Sequence, residues 1–181
     1  IDNGRIKGGI GSAIVDDEGN PTRSTTIIEN GILKGFLYDT LTACRTEESS
    51  TANARRASEG LGRTYLMAPE PLPTNLVVGR GDYGSEELIE ETKEAVLVNS
   101  IDYAFPLVPE RGYFNMTSSL PALLIENGEI DGYSENVTVS DKLSKALTRV
   151  SGIGKDIQQF THMGTTVTFS PYLRIKDMVV S

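Results

Sequence analysis

A catalytic site needs nucleophiles or metal donors within reach of one another, and few residues of this chain qualify. There is one histidine, His162, and one cysteine, Cys44. A single imidazole excludes the histidine-pair zinc signatures, such as H-E-x-x-H on a helix. A Cys–His nucleophilic pair would need these two side chains to meet in the fold, which spacing alone does not decide. The plainer reading is a partly exposed histidine and a small thiol in a polar loop. Asp16-Asp17-Glu18 offers oxygen ligands to a hard cation, but the EF-hand spacing is missing and a solvated turn explains the same residues. The run Gly79 to Gly84 lacks the spacing of a dinucleotide or phosphate loop.

The segment Thr51-Ala52-Asn53-Ala54-Arg55-Arg56 is more promising. Guanidinium forks pair bidentately with carboxylates. An asparagine amide can bond a peptide backbone in the same place. Asn53, Arg55 and Arg56 are therefore candidate peptide-binding residues. The alternative is a solvated loop whose arginines neutralise Glu47 and Glu48.

Charge narrows the partners. The 181 residues carry 25 acidic against 17 basic side chains, a net of −8. A phosphate backbone would be repelled by that mean field, and the adjacent Arg55 and Arg56 with scattered Arg63 and Arg80 make a thin nucleic-acid footprint. No apolar run reaches transmembrane length and no signal-peptide pattern opens the chain, so a cytoplasmic location is expected. One cysteine rules out an internal disulfide. The N-x-T sequons at Asn115 and Asn136 read as chance matches in this setting. The chain opens on Ile1 rather than Met, which is expected of part of a longer protein.

The elements that must position these residues are mostly strands. Asn30-Gly31 stands between Thr25–Glu29 and Ile32–Tyr38, the strongest short-range hairpin signal, because both residues tolerate the positive φ of a type I′ turn. Leu124 to Tyr133 repeats Ile27 to Phe36 nearly residue for residue around Asn127-Gly128, so two similar hairpins are expected. Ile10–Val15, Thr74–Val78, Thr165–Phe169, Tyr172–Ile175 and Asp177–Val180 read as further strands. Pro69 to Pro73 is a stiff extended stretch. Thr40 to Gly62 reads as a long polar loop with one helical turn, of the kind that is often functional. Ser85 is expected to cap a helix to about Leu97, with Glu86 and Glu87 in its first turn. Ser140 is expected to cap a second, where Leu143, Ala146, Leu147 and Val150 form an apolar stripe. The fold class is α+β: a mostly antiparallel or mixed β-sheet, able to curl into a barrel, with two or three helices. No linker divides residues 1–181, so a single domain is expected.

Seven stretches, taken in order, resemble one family. They are Val15-Asp16-Asp17-Glu18-Gly19, Ile28 to Gly35, Ser50 to Arg56, Pro73-Thr74-Asn75-Leu76, Glu86-Glu87-Leu88-Ile89, Leu124 to Ile130 and Val150 to Asp156. Together they resemble the C-terminal domain of TldD/PmbA proteins, also called modulators of DNA gyrase. The resemblance covers nearly the whole chain. It implies a two-subunit zinc metallopeptidase system that trims unfolded or leader peptides. In that family a helical histidine motif upstream of this region supplies the zinc ligands, with a Cys of the C-terminal domain as the third. Here the matching place reads Thr161-His162-Met163-Gly164, so Met163 replaces the Cys. A thioether cannot ionise and is a poor zinc ligand beside a thiolate.

The expectation is thus a PmbA-like, non-zinc half: scaffold, peptide cradle and subunit-contact surface, inactive alone. Catalytic and metal residues are expected to be none in this chain, with zinc held only by a full-length TldD-like partner in a homo- or hetero-oligomer. The resemblance places Asn53, Arg55 and Arg56 near the peptide cleft. The alternative is a standalone peptide- or protein-binding protein that keeps the fold without the chemistry. A role on nucleic acid is suggested by the gyrase name alone, and the charge speaks against it.

Overall fold

The computed structural model describes residues 1–58, 62–162 and 166–181. They form two units, Ile1–Gly79 with Ile157–Pro171, and Arg80–Asp156 with Tyr172–Ser181. In chain order the first unit holds β1 (Asp2–Asn3), β2 (Ser24–Thr25), β3 (Ile28–Glu29), β4 (Ile32–Leu33), α1 (Thr40–Arg45), β5 (Ala54–Arg55), β6 (Ala57–Ser58), β7 (Gly62–Arg63), β8 (Glu70–Pro71) and β9 (Asn75–Val77). The second unit follows with α2 (Ser85–Glu90), β10 (Glu94–Leu97), β11 (Ile101–Val108), β12 (Tyr113–Ser118), β13 (Ala122–Glu126), β14 (Glu129–Ser134), β15 (Thr138–Lys142), α3 (Leu143–Thr148) and β16 (Val150–Ile153). The chain then returns to the first unit for β17 (Gln158–His162) and β18 (Thr166–Ser170), and ends in the second with β19 (Leu173–Ile175) and β20 (Val179–Val180).

The first unit is built on a five-stranded sheet in the order β17–β18–β9–β1–β2. It is mixed: β18 runs parallel to β9, with Thr168 opposite Leu76, and the other pairs are antiparallel. Its interior is unusually polar. The largest fully buried side chains are Asn53, Asn75, Thr22 and Asp2, and alanines 43, 52, 54 and 57 and Val167 are buried as well. Small apolar groups leave room for side chains that must each find a hydrogen-bond partner.

The second unit has a three-stranded sheet β10–β13–β14, a four-stranded sheet β11–β12–β15–β20 and the pair β16–β19. Its buried hydrophobic residues are Leu88, Ala122, Ile125, Val137 and Ala146. Arg174 on β19 ties down the end of α2: its guanidinium donates to the Leu88 carbonyl and to Thr92 Oγ1 and lies over the Tyr83 ring. The last carbonyls of a helix have no intrahelical partner, and a cation placed there satisfies them.

This is the expected α+β class, with mostly antiparallel and mixed sheets and three short helices. No sheet closes into a barrel among the described residues. Both Asn-Gly hairpins form, with φ of 50° and 75° at Asn30 and Gly31 and 50° and 86° at Asn127 and Gly128. Other boundaries moved. The helix from Ser85 ends at Glu90, and Glu94–Leu97 is a strand because it pairs along β13, Ala95 opposite Ile125. The cap is Gly84, whose amide meets Glu87 Oε2, rather than Ser85. Ser140 lies in β15 opposite Asn115, so the second helix starts only at Leu143. Ladder pairing outweighed helix propensity after Glu90 and capping at Ser140. Ile10–Val15 is no strand beyond a bridge from Val15 to Pro21; its amides and carbonyls meet turns and side chains instead, such as Gly11 N–H to Asn75 Oδ1. Among the described residues no helix is long and apolar enough to cross a membrane.

Candidate functional site

The Asn53–Arg56 segment is held from both ends. Upstream, Asp39 and Thr42 form a reciprocal capping box that starts α1. Glu18 Oε2 accepts from the Thr40 amide at 2.8 Å and from its hydroxyl at 2.6 Å, placing negative charge at the same helix start. Beyond α1 the chain doubles back. The Thr51 amide donates to the Tyr38 carbonyl, and Thr51 Oγ1 accepts from the Tyr38 amide at 2.7 Å. Ala52 follows at φ 61°, in the left-handed region that alanine rarely enters, and the Ser50 hydroxyl accepts its amide at 3.1 Å.

From there the backbone is clamped by carboxylates. Asp16 Oδ1 closes its own turn by accepting the Glu18 and Asn20 amides, and its Oδ2 accepts the Ala54 amide at 3.3 Å. Asp17 returns its amide to the Ala54 carbonyl at 2.9 Å, accepts the Arg56 amide at 2.7 Å and forms an ion pair with Arg63. The acidic turn Asp16-Asp17-Glu18 is therefore a bracket for β5 and α1. Its carboxylates are spent on backbone amides and on the Thr40, Asn20 and Arg63 side chains.

The side chains of the segment divide into inner and outer groups. Asn53 is 1% exposed; its Nδ2 donates to Asp2 Oδ2 at 2.6 Å and to the Leu72 carbonyl at 3.2 Å. Asp2 also accepts the Thr74 amide and hydroxyl at 2.7 and 2.8 Å, so one buried carboxylate joins β1, Asn53 and the approach to β9. Arg55 is 9% exposed and donates to the Pro73 carbonyl at 2.9 Å. Burial, with nearby Arg63, holds its guanidinium below its ordinary pKa, and Asp17 and Asp2 oppose that shift. Arg56 faces outward, half-buried, and donates to the Met67 carbonyl at 2.8 Å. Beside it Tyr65 and Leu66 are exposed.

The predicted residues are thus brought onto one short segment, two pointing in and one out. Sequence reasoning missed Asp2, with Thr74 behind it, as the group that fixes Asn53. Pro73-Thr74-Asn75 stood out as a motif, but nothing marks an acid near the chain's start as buried. Cys44 is exposed on α1. Met163 lies outside the described residues, as does Gly164, and the His162 backbone pairs with Thr166 in the β17–β18 ladder. Among the described residues no group of three His, Cys, Asp or Glu side chains could hold a metal ion. In the second unit an open cleft of about 390 Å³ is lined by Glu126, Asn127, Glu129 and Asp131 at the second hairpin.

Residues 1–181 match the model of the PmbA/TldA metallopeptidase C-terminal domain. The chain belongs to this family. A metalloprotease of Methanocaldococcus jannaschii is 35% identical over 158 residues, 87% of this chain and 33% of that protein. A protein of Buchnera aphidicola from Acyrthosiphon pisum, named a metalloprotease TldD homolog, is 32% identical over 171 residues, 91% of this chain and 32% of its own. The crystal structure of TldE from Thermococcus kodakarensis superposes with a TM-score of 0.85 at 26% identity, over 99% of this chain and 38% of that one. The chain spans about a third of the length of the curated relatives it matches. The family match covers the bracketed segment together with the rest of the chain.

Proposed function

We propose that this domain is the non-zinc, PmbA-like scaffold of a TldD/PmbA-type peptidase system, cradling an unfolded or leader peptide for zinc chemistry carried by a TldD-like subunit. Asn53 and Arg55 act as positioning residues that fix the backbone of the segment. Arg56 is the outward group offered to a carboxylate or carbonyl of the peptide. The outer edge of β17 has no strand partner among the described residues and carries Gln158, Gln159, Phe160 and Thr161 without a charge, so an extended peptide can add to it through main-chain hydrogen bonds. The observation that carries the reading is the bracket itself. Four buried or partly buried polar side chains, Asp2, Asp16, Asp17 and Asn53, are spent on holding one short loop segment still. Such preorganisation serves binding more than stability. In this reading the system works in the cytoplasm and on peptides, not on nucleic acid.

The test uses the full-length protein. Mixed with a zinc-bearing TldD-like subunit, it should yield peptidase activity on an unfolded peptide that it lacks alone. Elemental analysis of the protein alone should find far less than one zinc per chain. Arg56→Ala should raise the Kd for the peptide about tenfold, the size of one charge-assisted contact. One zinc per chain, or activity without a partner, overturns the reading. Peptide binding with neither partner nor activity would instead support a standalone binder.

A further inference from the structure

Three asparagines of the chain are followed by glycine: Asn3-Gly4, Asn30-Gly31 and Asn127-Gly128. In such a pair the glycine nitrogen can attack the asparagine side-chain amide, because no side chain on the glycine crowds the ring that forms. The attack makes two demands on the structure. The glycine N–H must be free to lose its proton. The asparagine backbone must also rotate until that nitrogen faces its own side-chain carbonyl carbon. An N–H donated to a carbonyl meets neither demand until its hydrogen bond opens.

Two of the three pairs are tied. The Gly4 N–H donates to the Arg23 carbonyl at 3.2 Å, at the end of β1, which lies between β9 and β2. A side chain on Gly4 would begin 2.7 Å from Thr22 Cβ. The Asn3 side chain is engaged as well, its Oδ1 accepting the Arg5 amide at 2.9 Å. The Gly128 N–H donates to the Thr92 carbonyl at 2.9 Å and the Asn127 N–H to the Lys93 carbonyl at 2.7 Å. Thr92 and Lys93 lie between α2 and β10, so this turn is held from outside its own hairpin. Its strand β13 is the centre of a three-stranded sheet.

The third pair differs. The Gly31 N–H has no acceptor among the described residues, and nothing lies within 4 Å of where a Gly31 side chain would begin. The β3–β4 ladder joins only Ile28 with Leu33 and Glu29 with Ile32. A two-stranded hairpin is at best marginally stable in water, so this turn opens without breaking a larger sheet. Both hairpin turns read Glu-Asn-Gly and both asparagines sit at φ 50°. Their local chemistry is matched, and they differ in what holds the glycine amide.

We propose that Asn30 is a site of spontaneous modification, converting to aspartate and isoaspartate through a succinimide, while the bonds on Gly4 and Gly128 keep Asn3 and Asn127 as asparagine. Solvent base takes the Gly31 amide proton, and the nitrogen's electron pair forms a bond to Asn30 Cγ. The Cγ–Nδ2 bond breaks, and Nδ2 leaves as ammonia with a proton from water. Water then opens the ring at either carbonyl. One product is aspartate in the ordinary main chain; the other routes the main chain through the former side chain. Both add a negative charge next to Glu29. Isoaspartate also puts an extra carbon into the backbone of a turn that sets the hairpin's register. The inference is independent of the peptidase reading.

The test ages the full-length protein in mildly alkaline buffer, digests samples over time and follows the three Asn-Gly peptides by mass spectrometry. Asn30 should convert at least about tenfold faster than Asn3 or Asn127, the factor set by a hydrogen bond that must open first. Ageing in concentrated urea should bring the three rates close together, since unfolding frees all three glycine amides. Asn30 converting no faster than the tied pairs in the folded protein overturns the proposal. A rate order that persists unchanged in urea also overturns it, because the difference would then lie in local sequence.

Discussion

Ile28–Leu33 and Ile125–Ile130 carry the same turn in the same backbone conformation, yet one hairpin stands bare and the other is built into a sheet. Ile28 is 45% exposed and its counterpart Ile125 is 5% exposed. Beside the second turn the end of α2 comes so close that a side chain on Gly128 would start 2.6 Å from the Glu90 carbonyl oxygen; beside Gly31 there is open space. The second hairpin also bulges, since Leu124 pairs with Gly132 but Ile125 with Ile130, leaving Asp131 unpaired. The local code therefore sets the turn, and the neighbours decide whether the strands are core or surface.

The largest expected effect tests the close approach. Gly128→Ala adds positive-φ strain and a backbone overlap, and should destabilise the second unit by about 3 kcal/mol. Gly31→Ala adds only the strain, about 1 kcal/mol. Chemical denaturation of both variants checks this, and equal losses would show that the two turns are equally packed.

Truncating the paired isoleucines comes next. Ile125→Ala should cost about 3 kcal/mol as a buried methyl cluster is lost. Ile28→Ala should stay within about 0.5 kcal/mol in the isolated protein. A large loss at Ile28 would mean that the first hairpin is already packed within its own chain.

Acid probes the unit that carries the second hairpin. Asp141 accepts the Lys142 amide and forms an ion pair with Arg149, and these contacts hold its carboxyl below the ordinary value. A depressed folded pKa stabilises above the unfolded value of 3.8 and is lost as pH falls through the folded value. Wild type should therefore lose stability more steeply below about pH 4 than Asp141→Asn, measured by denaturation midpoint against pH. Parallel curves would show the pair to be energetically idle.

The smallest effect belongs to the bare hairpin. Lys34 and Glu29 lie 3.6 Å apart, both well exposed. Lys34→Ala should change stability by less than about 1 kcal/mol, and that little should vanish in high salt. In the second hairpin Asp131 takes the place of Lys34 and lines the acidic cleft there.

Both turns were legible because Asn-Gly dictates positive φ within two residues, and α1 was legible as a helical turn in a polar loop. Glu94–Leu97 was not, because its apolar residues suit a helix or a strand and only the edge of β13 chose between them. At the candidate site the residue types in Asn53–Arg56 were visible, but their directions were not. Asn53 and Arg55 turn inward because Asp2, the Leu72 carbonyl and the Pro73 carbonyl wait there. Asp16 and Asp17 looked like a solvated turn or a cation site and proved to be the bracket.

Alone, the sequence determined the turns, the α+β class and, through the ordered motifs, the family, since each of these is written in contiguous residues. Tertiary structure alone decided which Asn-Gly hairpin is buried, which arginine faces out and which acids hold the 53–56 segment. Those outcomes depend on groups far apart in the chain, such as Asp2 with Thr74 and Ala95 with Ile125, whose meeting no local spacing encodes.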